Sequence, residues 1–160
     1  IERRQHGDDG AMGIMINRLS DYRLGDVLTQ MNVRSELAQV LDAPVLIGGP
    51  VQPERGFVLH TPHGGWDSSF RISDQISVTT SRDILEAIAS GNGPSHAVVA
   101  LGYSGWSPGQ IEHELRENSW LTAPADNAIV FSTPLDERWQ ASAALVGVNL
   151  TQISPYAGHA

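Results

Sequence analysis

Ala97-Val98-Val99-Ala100-Leu101-Gly102-Tyr103-Ser104-Gly105-Trp106-Ser107-Pro108-Gly109-Gln110 begins as a nearly continuous apolar run and then turns to glycine, serine and proline. The uncharged part, Ala97 to Gly102, has the pattern of a central strand covered on both faces, because neither side of it is written to meet water. From Gly102 to Trp106 the glycine spacing predicts a tight turn. Ser107-Pro108-Gly109-Gln110 then predicts a helix start: serine caps, proline takes the first helical position and glutamine reaches back. Ile111 and Leu115 would face inward.

The flanks extend this frame. Ala11-Met12-Gly13-Ile14-Met15-Ile16-Asn17 predicts a short buried strand, and Val45-Leu46-Ile47-Gly48-Gly49-Pro50-Val51 predicts a strand ending in a tight turn. Between them, Leu24-Gly25-Asp26-Val27-Leu28 and Ser35-Glu36-Leu37-Ala38-Gln39-Val40-Leu41 have the spacing of brief surface helices. Gly56-Phe57-Val58-Leu59-His60 and Gln75-Ile76-Ser77-Val78-Thr79-Thr80 are β-rich, and residues 61–69 between them predict a loop joining antiparallel neighbours. Thr80-Ser81-Arg82-Asp83 fits a variant capping box, opening a helix with Ile84, Leu85 and Ile88 inward and Gly91 as its stop. Ala128-Ile129-Val130-Phe131 predicts a further strand, and Thr133-Pro134-Leu135-Asp136 a proline-opened helix ending near Gly147. Strands clustered before and between short helices, without regular βαβ alternation, predict one α+β domain over residues 1–160 with a mostly antiparallel sheet.

Composition narrows the function classes. Ten basic against 18 acidic residues give a net charge of −8, which disfavours nucleic-acid and anionic-membrane binding. Arg3-Arg4 beside Glu2 is a solvated pair. The absence of cysteine excludes disulfides, thiolate metal sites and thiol nucleophiles, and fits a reducing cytoplasm. No apolar run approaches the ~20 residues of a membrane-spanning helix, and no signal-peptide pattern opens the chain.

Several constellations could carry chemistry. A turn from Gly102 to Gly105 between a strand and a helix start could hold an anion on backbone N–H groups, or simply let the helix pack closely. Its spacing is neither G-x-G-x-x-G nor G-x-x-x-x-G-K-[ST], so no cofactor is expected. Ser104 misses the G-x-S-x-G nucleophile elbow by one residue, and no spacing ties it to His60, His63, His96 or His113. His60-Thr61-Pro62-His63 with Glu112-His113-Glu114 falls short of a converging ligand set, so no metal is expected. Asp8-Asp9 reads as a turn. Of the tryptophans, Trp139 is expected in the core, whereas Trp66 and Trp106 fall in predicted loops, where ligand contact is open to them.

The landmarks fall in a familiar order. His6 with Asp9-Gly10-Ala11-Met12-Gly13 and Asn17-Arg18 is similar to the opening E-H-x-x-x-G-A-M-G…N-[KR] of the YqgE/AlgH family. Gly48-Gly49-Pro50-Val51, Gly56-Phe57-Val58-Leu59-His60, Thr80-Ser81-Arg82-Asp83, Ala100-Leu101-Gly102-Tyr103-Ser104-Gly105-Trp106, Gly109-Gln110, Asn118-Ser119-Trp120-Leu121, Arg138-Trp139 and the closing Ala157-Gly158-His159-Ala160 resemble its later blocks. The resemblance implies a coiled, partly barrel-like sheet in a bacterial cytoplasmic protein, and a link to transcriptional control of alginate production. It departs in having Gln5 where glutamate is expected. The family's additional strand before this element is also missing, as in a chain truncated at its N-terminus. Without that strand a sheet edge would stand open, so a monomer or weak dimer is expected.

The reading that follows is a binding or regulatory protein without a catalytic machine, whose partner is a small ligand or another protein. Its groove would be built from Gly48, Gly49, Gly102 and Gly105 and rimmed by Asn17, Arg18, Ser104 and Trp106, with Arg18 meeting an anion. The rival is a hydrolase or transferase in which His60 or Asp83 converges on Ser104.

Overall fold

The structure is a computed structural model that describes residues 2–3, 10–62 and 64–148. Its strands are β1 (Glu2–Arg3), β2 (Ala11–Gly13), β3 (Leu19–Arg23), β4 (Pro44–Ile47), β5 (Val51–His60), β6 (Ser69–Arg71), β7 (Ser77–Thr79) and β8 (Ala97–Trp106). The helices are α1 (Leu24–Gln30), α2 (Ala38–Leu41), α3 (Arg82–Ala89), α4 (Gln110–Arg116), α5 (Asn127–Phe131) and α6 (Arg138–Ala144), with a 3-10 turn at Leu135–Glu137.

β8 is the central strand, as its apolar run predicts. It pairs antiparallel with β5, parallel with β4 over 99–101, and antiparallel with β2 over 104–106. β3 lies outside β4, β1 outside β2, and β7 and β6 continue beyond β5. Every pairing except β4 with β8 is antiparallel. Among the described residues no pairing joins the outer strands β1, β3 and β6, so the sheet is open rather than a closed barrel.

Side chains alternate across a pleated strand, and the sheet therefore builds two cores. Val45, Val58 and Val99 face Leu24 and Leu28 of α1 and Ile84 and Leu85 of α3. Their neighbours Leu46, Phe57, Leu59 and Ala100 face the opposite side, where Ile76, Val78 and Val130 join them. Each of these large apolar side chains contributes roughly 1.5–3 kcal/mol by leaving water.

Four local expectations are corrected. Residues 102–106 are not a turn but the second half of β8, because β2 offers them a new partner when β4 ends. Ala128 to Phe131 is helical, not extended: Asp126 Oδ1 accepts the Ile129 N–H at 3.0 Å, and this cap outweighs the β propensity of Ile129 and Val130. The cap of α3 is Ser81, one residue later than the box predicts, and the Asp83 carboxylate turns to the preceding loop. Trp139 is 43% exposed, while the neighbouring Arg138 is 8% exposed and takes the inward position expected of the tryptophan. Smaller shifts follow. β6 adds a strand that begins at the last residue of the predicted loop, the predicted strand at 11–17 shortens to β2, and Gly109 with φ +78 caps α4 in place of Ser107.

The handover from β4 to β2 depends on glycine. A Cβ at Gly49 would lie 2.1 Å from the Tyr103 carbonyl carbon, one at Gly48 2.3 Å from the Gly102 oxygen, and Gly102 has φ +76. The two backbones touch with no room for a methyl group. Gly49→Ala is therefore expected to destabilise the fold by about 1–3 kcal/mol through overpacking. Gly65→Ala, with nothing within 4 Å of its Cβ, is expected to leave stability unchanged in the same denaturant titration.

Candidate functional site

The structure brings the sequence-predicted residues together, but as packed backbone. Gly48, Gly49 and Gly102 are buried against one another. Ser104 is half-buried opposite Gly13, and Gly105 is exposed opposite Met12. The stretch that ends in Asn17 and Arg18 runs beside the same bend: Met15 N–H donates to the Gly48 carbonyl at 2.7 Å, and Ile47 N–H to that of Arg18 at 2.9 Å. Both Asn17 and Arg18 side chains are exposed. Trp106 is not in a loop but ends β8, with its indole N–H turned to Glu114 at 3.1 Å.

The residues of the hydrolase reading stay apart. His60 pairs with Ala97, seven positions before Ser104 on β8, which is on the order of 20 Å at the rise of a strand. Its ring is buried, with Nδ1 2.8 Å from the Thr61 carbonyl and Nε2 2.6 Å from Thr79 Oγ1. The Asp83 carboxylate accepts the Ser81 hydroxyl at 2.5 Å and the N–H groups of Asp67 and Ile84 at 2.9 Å each. The Ser81 hydroxyl chiefly, with those N–H groups, holds Asp83 below its ordinary carboxylate value against the opposing cost of desolvation. Asp83 thereby straps the loop before β6 to the start of α3. No cluster of three histidine or acidic side chains fit to hold a metal occurs among the described residues. His6, Asp8, Asp9, His63 and 157–160 lie outside them.

The concavity that the glycine pattern does not announce lies on the α1–α3 face of the sheet. It is a cleft of about 860 Å³. Val58, Val99 and Leu101 form its floor, Val27 of α1 and Met31 just after it one wall, and Thr79, Ser81 and Leu85 the other. Asp21, Tyr22, Asp26 and Glu54 stand exposed at its rim. α1 and α3 cover two sides of this face and leave the strip between them open.

Two polar anchors were also invisible in the sequence. Arg138 donates from Nε to the Thr133 carbonyl at 2.8 Å and from Nη1 to that of Ile16, tying the C-terminal helices to the segment after β2. Burial pushes its pKa down. Glu114 Oε2 receives both the Trp120 indole at 2.6 Å and that of Trp106, while Oε1 takes the Gln110 amide at 3.0 Å. The two indoles meet edge to face with centroids 5.8 Å apart.

The comparisons agree with one another. The AlgH-like family DUF179 matches residues 4–151. A UPF0301 protein of Xanthomonas campestris pv. campestris is 53% identical over 156 residues, covering 98% of this chain and 83% of the relative. One from Stenotrophomonas maltophilia is 52% identical over 155 residues, covering 97% and 82%. The solution structure of the AlgH protein from Pseudomonas aeruginosa superposes with a TM-score of 0.77 at 45% identity, over 97% of this chain and 82% of that one. The crystal structure of protein DIP2367 from Corynebacterium diphtheriae, at 18% identity and a TM-score of 0.67 over 94% and 75%, shares the fold.

The Glu114 clamp makes a pH prediction. Trp120 first, then Gln110, Trp106 and the charge of His113, lower its pKa from the ordinary 4.5 against desolvation. A lowered carboxyl pKa stabilises the folded state above the ordinary value and loses that contribution as pH falls through the lowered one. Glu114→Ala is expected to melt earlier than the unsubstituted chain at neutral pH. The gap between the two melting curves should narrow as acid titrates the clamp.

Proposed function

The chain belongs to the AlgH-like family DUF179, and from that footing we propose that it is a binding or regulatory protein whose recognition surface is the cleft on the α1–α3 face. One observation carries this reading. The cleft, at about 860 Å³, lies within the 300–1,000 Å³ range of ligand sites and joins an apolar floor to a few polar rim groups. The distance between His60 and Ser104 along β8 weighs against the hydrolase alternative.

A regulatory role is best served through a partner rather than by groove reading. The net charge of −8 and the acidic rim both repel a phosphate backbone. No helix among the described residues is long and apolar enough to cross a membrane. The cysteine-free composition supports the cytoplasm as the place of action.

Chemical-shift mapping of a fragment library tests the location of the site. Hits are expected to move the amides of Tyr22, Met31, Val99 and Leu101. Tyr22→Ala should weaken them roughly tenfold, the loss of one aromatic contact, and Arg18→Ala should not. The reverse ranking would return the site to the glycine bends.

A further inference from the structure

Resting on that reading of the cleft, we propose that its occupant is an extended segment of a partner protein in which basic and apolar side chains alternate. Asp21, Asp26 and Glu54 come from β3, α1 and β5 and converge on the rim, and no arginine or histidine lines the cleft among the described residues. The nearby cations are committed elsewhere. Arg55 lies over the Phe57 ring at 5.3 Å, and Arg23 Nη1 donates to the Asp42 carbonyl at 3.4 Å. Arg82 donates to the Met31 and Asn32 carbonyls and pairs with Glu86 at 2.8 Å. Among the rim carboxylates, only Asp26 is engaged, through one oxygen that accepts the Arg23 N–H at 2.8 Å. The lining thus carries three carboxylates and no cationic side chain, above a floor of valine and leucine.

Backbone geometry selects a peptide over a compact cation. β5 pairs with β8 at Val51 and again from Gly56, with a register shift between, and meets β7 only from Val58. Pro53 and Glu54, which line the cleft, therefore stand on a stretch of strand without a ladder partner. On the other side Asp21 and Tyr22 belong to β3, whose sole partner among the described residues is β4. On the β3 side Ser20 Oγ already takes the Tyr22 N–H at 3.1 Å, whereas a segment added in extended form could hydrogen-bond to the unpaired stretch around Glu54. It would also direct alternate side chains to opposite sides, apolar ones down to Val58, Val99 and Leu101 and basic ones up to the rim. A small polyamine satisfies the rim alone.

The chain contains no lysine, so carbodiimide coupling of a lysine-bearing probe to protein carboxylates has no internal lysine competitor. The probes are a short, end-blocked peptide alternating lysine with valine, its glutamate–valine counterpart, spermidine and indole. The lysine peptide is expected to couple to Asp21, Asp26 or Glu54 and to shift the amides of Tyr22, Pro53-flanking Glu54 and Leu101. Its affinity should fall with salt, and roughly tenfold in the doubly substituted Asp21→Asn, Glu54→Gln chain. Both substitutions are at exposed side chains, and an unchanged melting curve confirms that the fold is intact. Equal binding of the glutamate peptide, undiminished binding by the double variant, or spermidine matching the lysine peptide would each overturn the proposal. If indole alone shifts the cleft amides, the basic-segment proposal fails while the recognition cleft stands. If no probe moves them, the cleft reading fails as well.

Discussion

The fold turns on a backbone contact that only glycine permits. β8 must serve β4 in its first half and β2 in its second, and the change of partner happens where Gly48 and Gly49 lie against 102–104. Any side chain at Gly49 would enter the Tyr103 peptide group, and any at Gly102 the Gly49 oxygen, 2.4 Å from its Cβ. The bend lets one strand hold both parts of the sheet together. The β8–β5 register then sets the alternation of the two cores.

The same constraint explains what the sequence conceals. The apolar run from Ala97 to Gly102 announces a central strand because its pattern is local. The continuation through Trp106 looks like a turn because its partners, Ala11 to Gly13, lie more than ninety positions earlier. The glycines at 48, 49 and 102 are legible as special, and two local meanings fit them: an open groove or a close approach. Only the pairing decides for close approach. α5 is a similar case, since Ile129 and Val130 favour extension by propensity but are buried in a helix that Asp126 opens. At Arg138-Trp139 hydrophobicity alone points to the tryptophan. Two carbonyls awaiting donors, at Ile16 and Thr133, select the arginine instead.

The cleft was illegible for a related reason. Its lining comes from β3, α1, β5, β7, α3 and β8, segments spread along the chain from Asp21 to Leu101. Its acids also look unremarkable one by one: Asp26 serves the first turn of α1, and Asp21 and Glu54 fall in no pattern that singles them out. They acquire a common meaning only when the sheet places them around the same floor. The family, by contrast, was legible throughout, because its landmarks are the bend residues and caps whose spacing a single sequence preserves.

Acid balance then links stability to recognition without making them the same thing. Asp83 and Glu114 are charged groups whose hydrogen bonds are all internal to the fold, holding a loop and a pair of indoles. Their lowered pKa values mark carboxylates already satisfied by donors. Asp21 and Glu54 have solvent in place of donors, so a cationic partner would exchange hydration for contact at little structural cost. A net charge of −8 raises the encounter rate with such a partner at any orientation, and the apolar floor supplies the part of the affinity that salt does not screen. Asp83 and Glu114, held below the ordinary carboxylate range by their donors, keep the frame tied while the rim stays open to a partner.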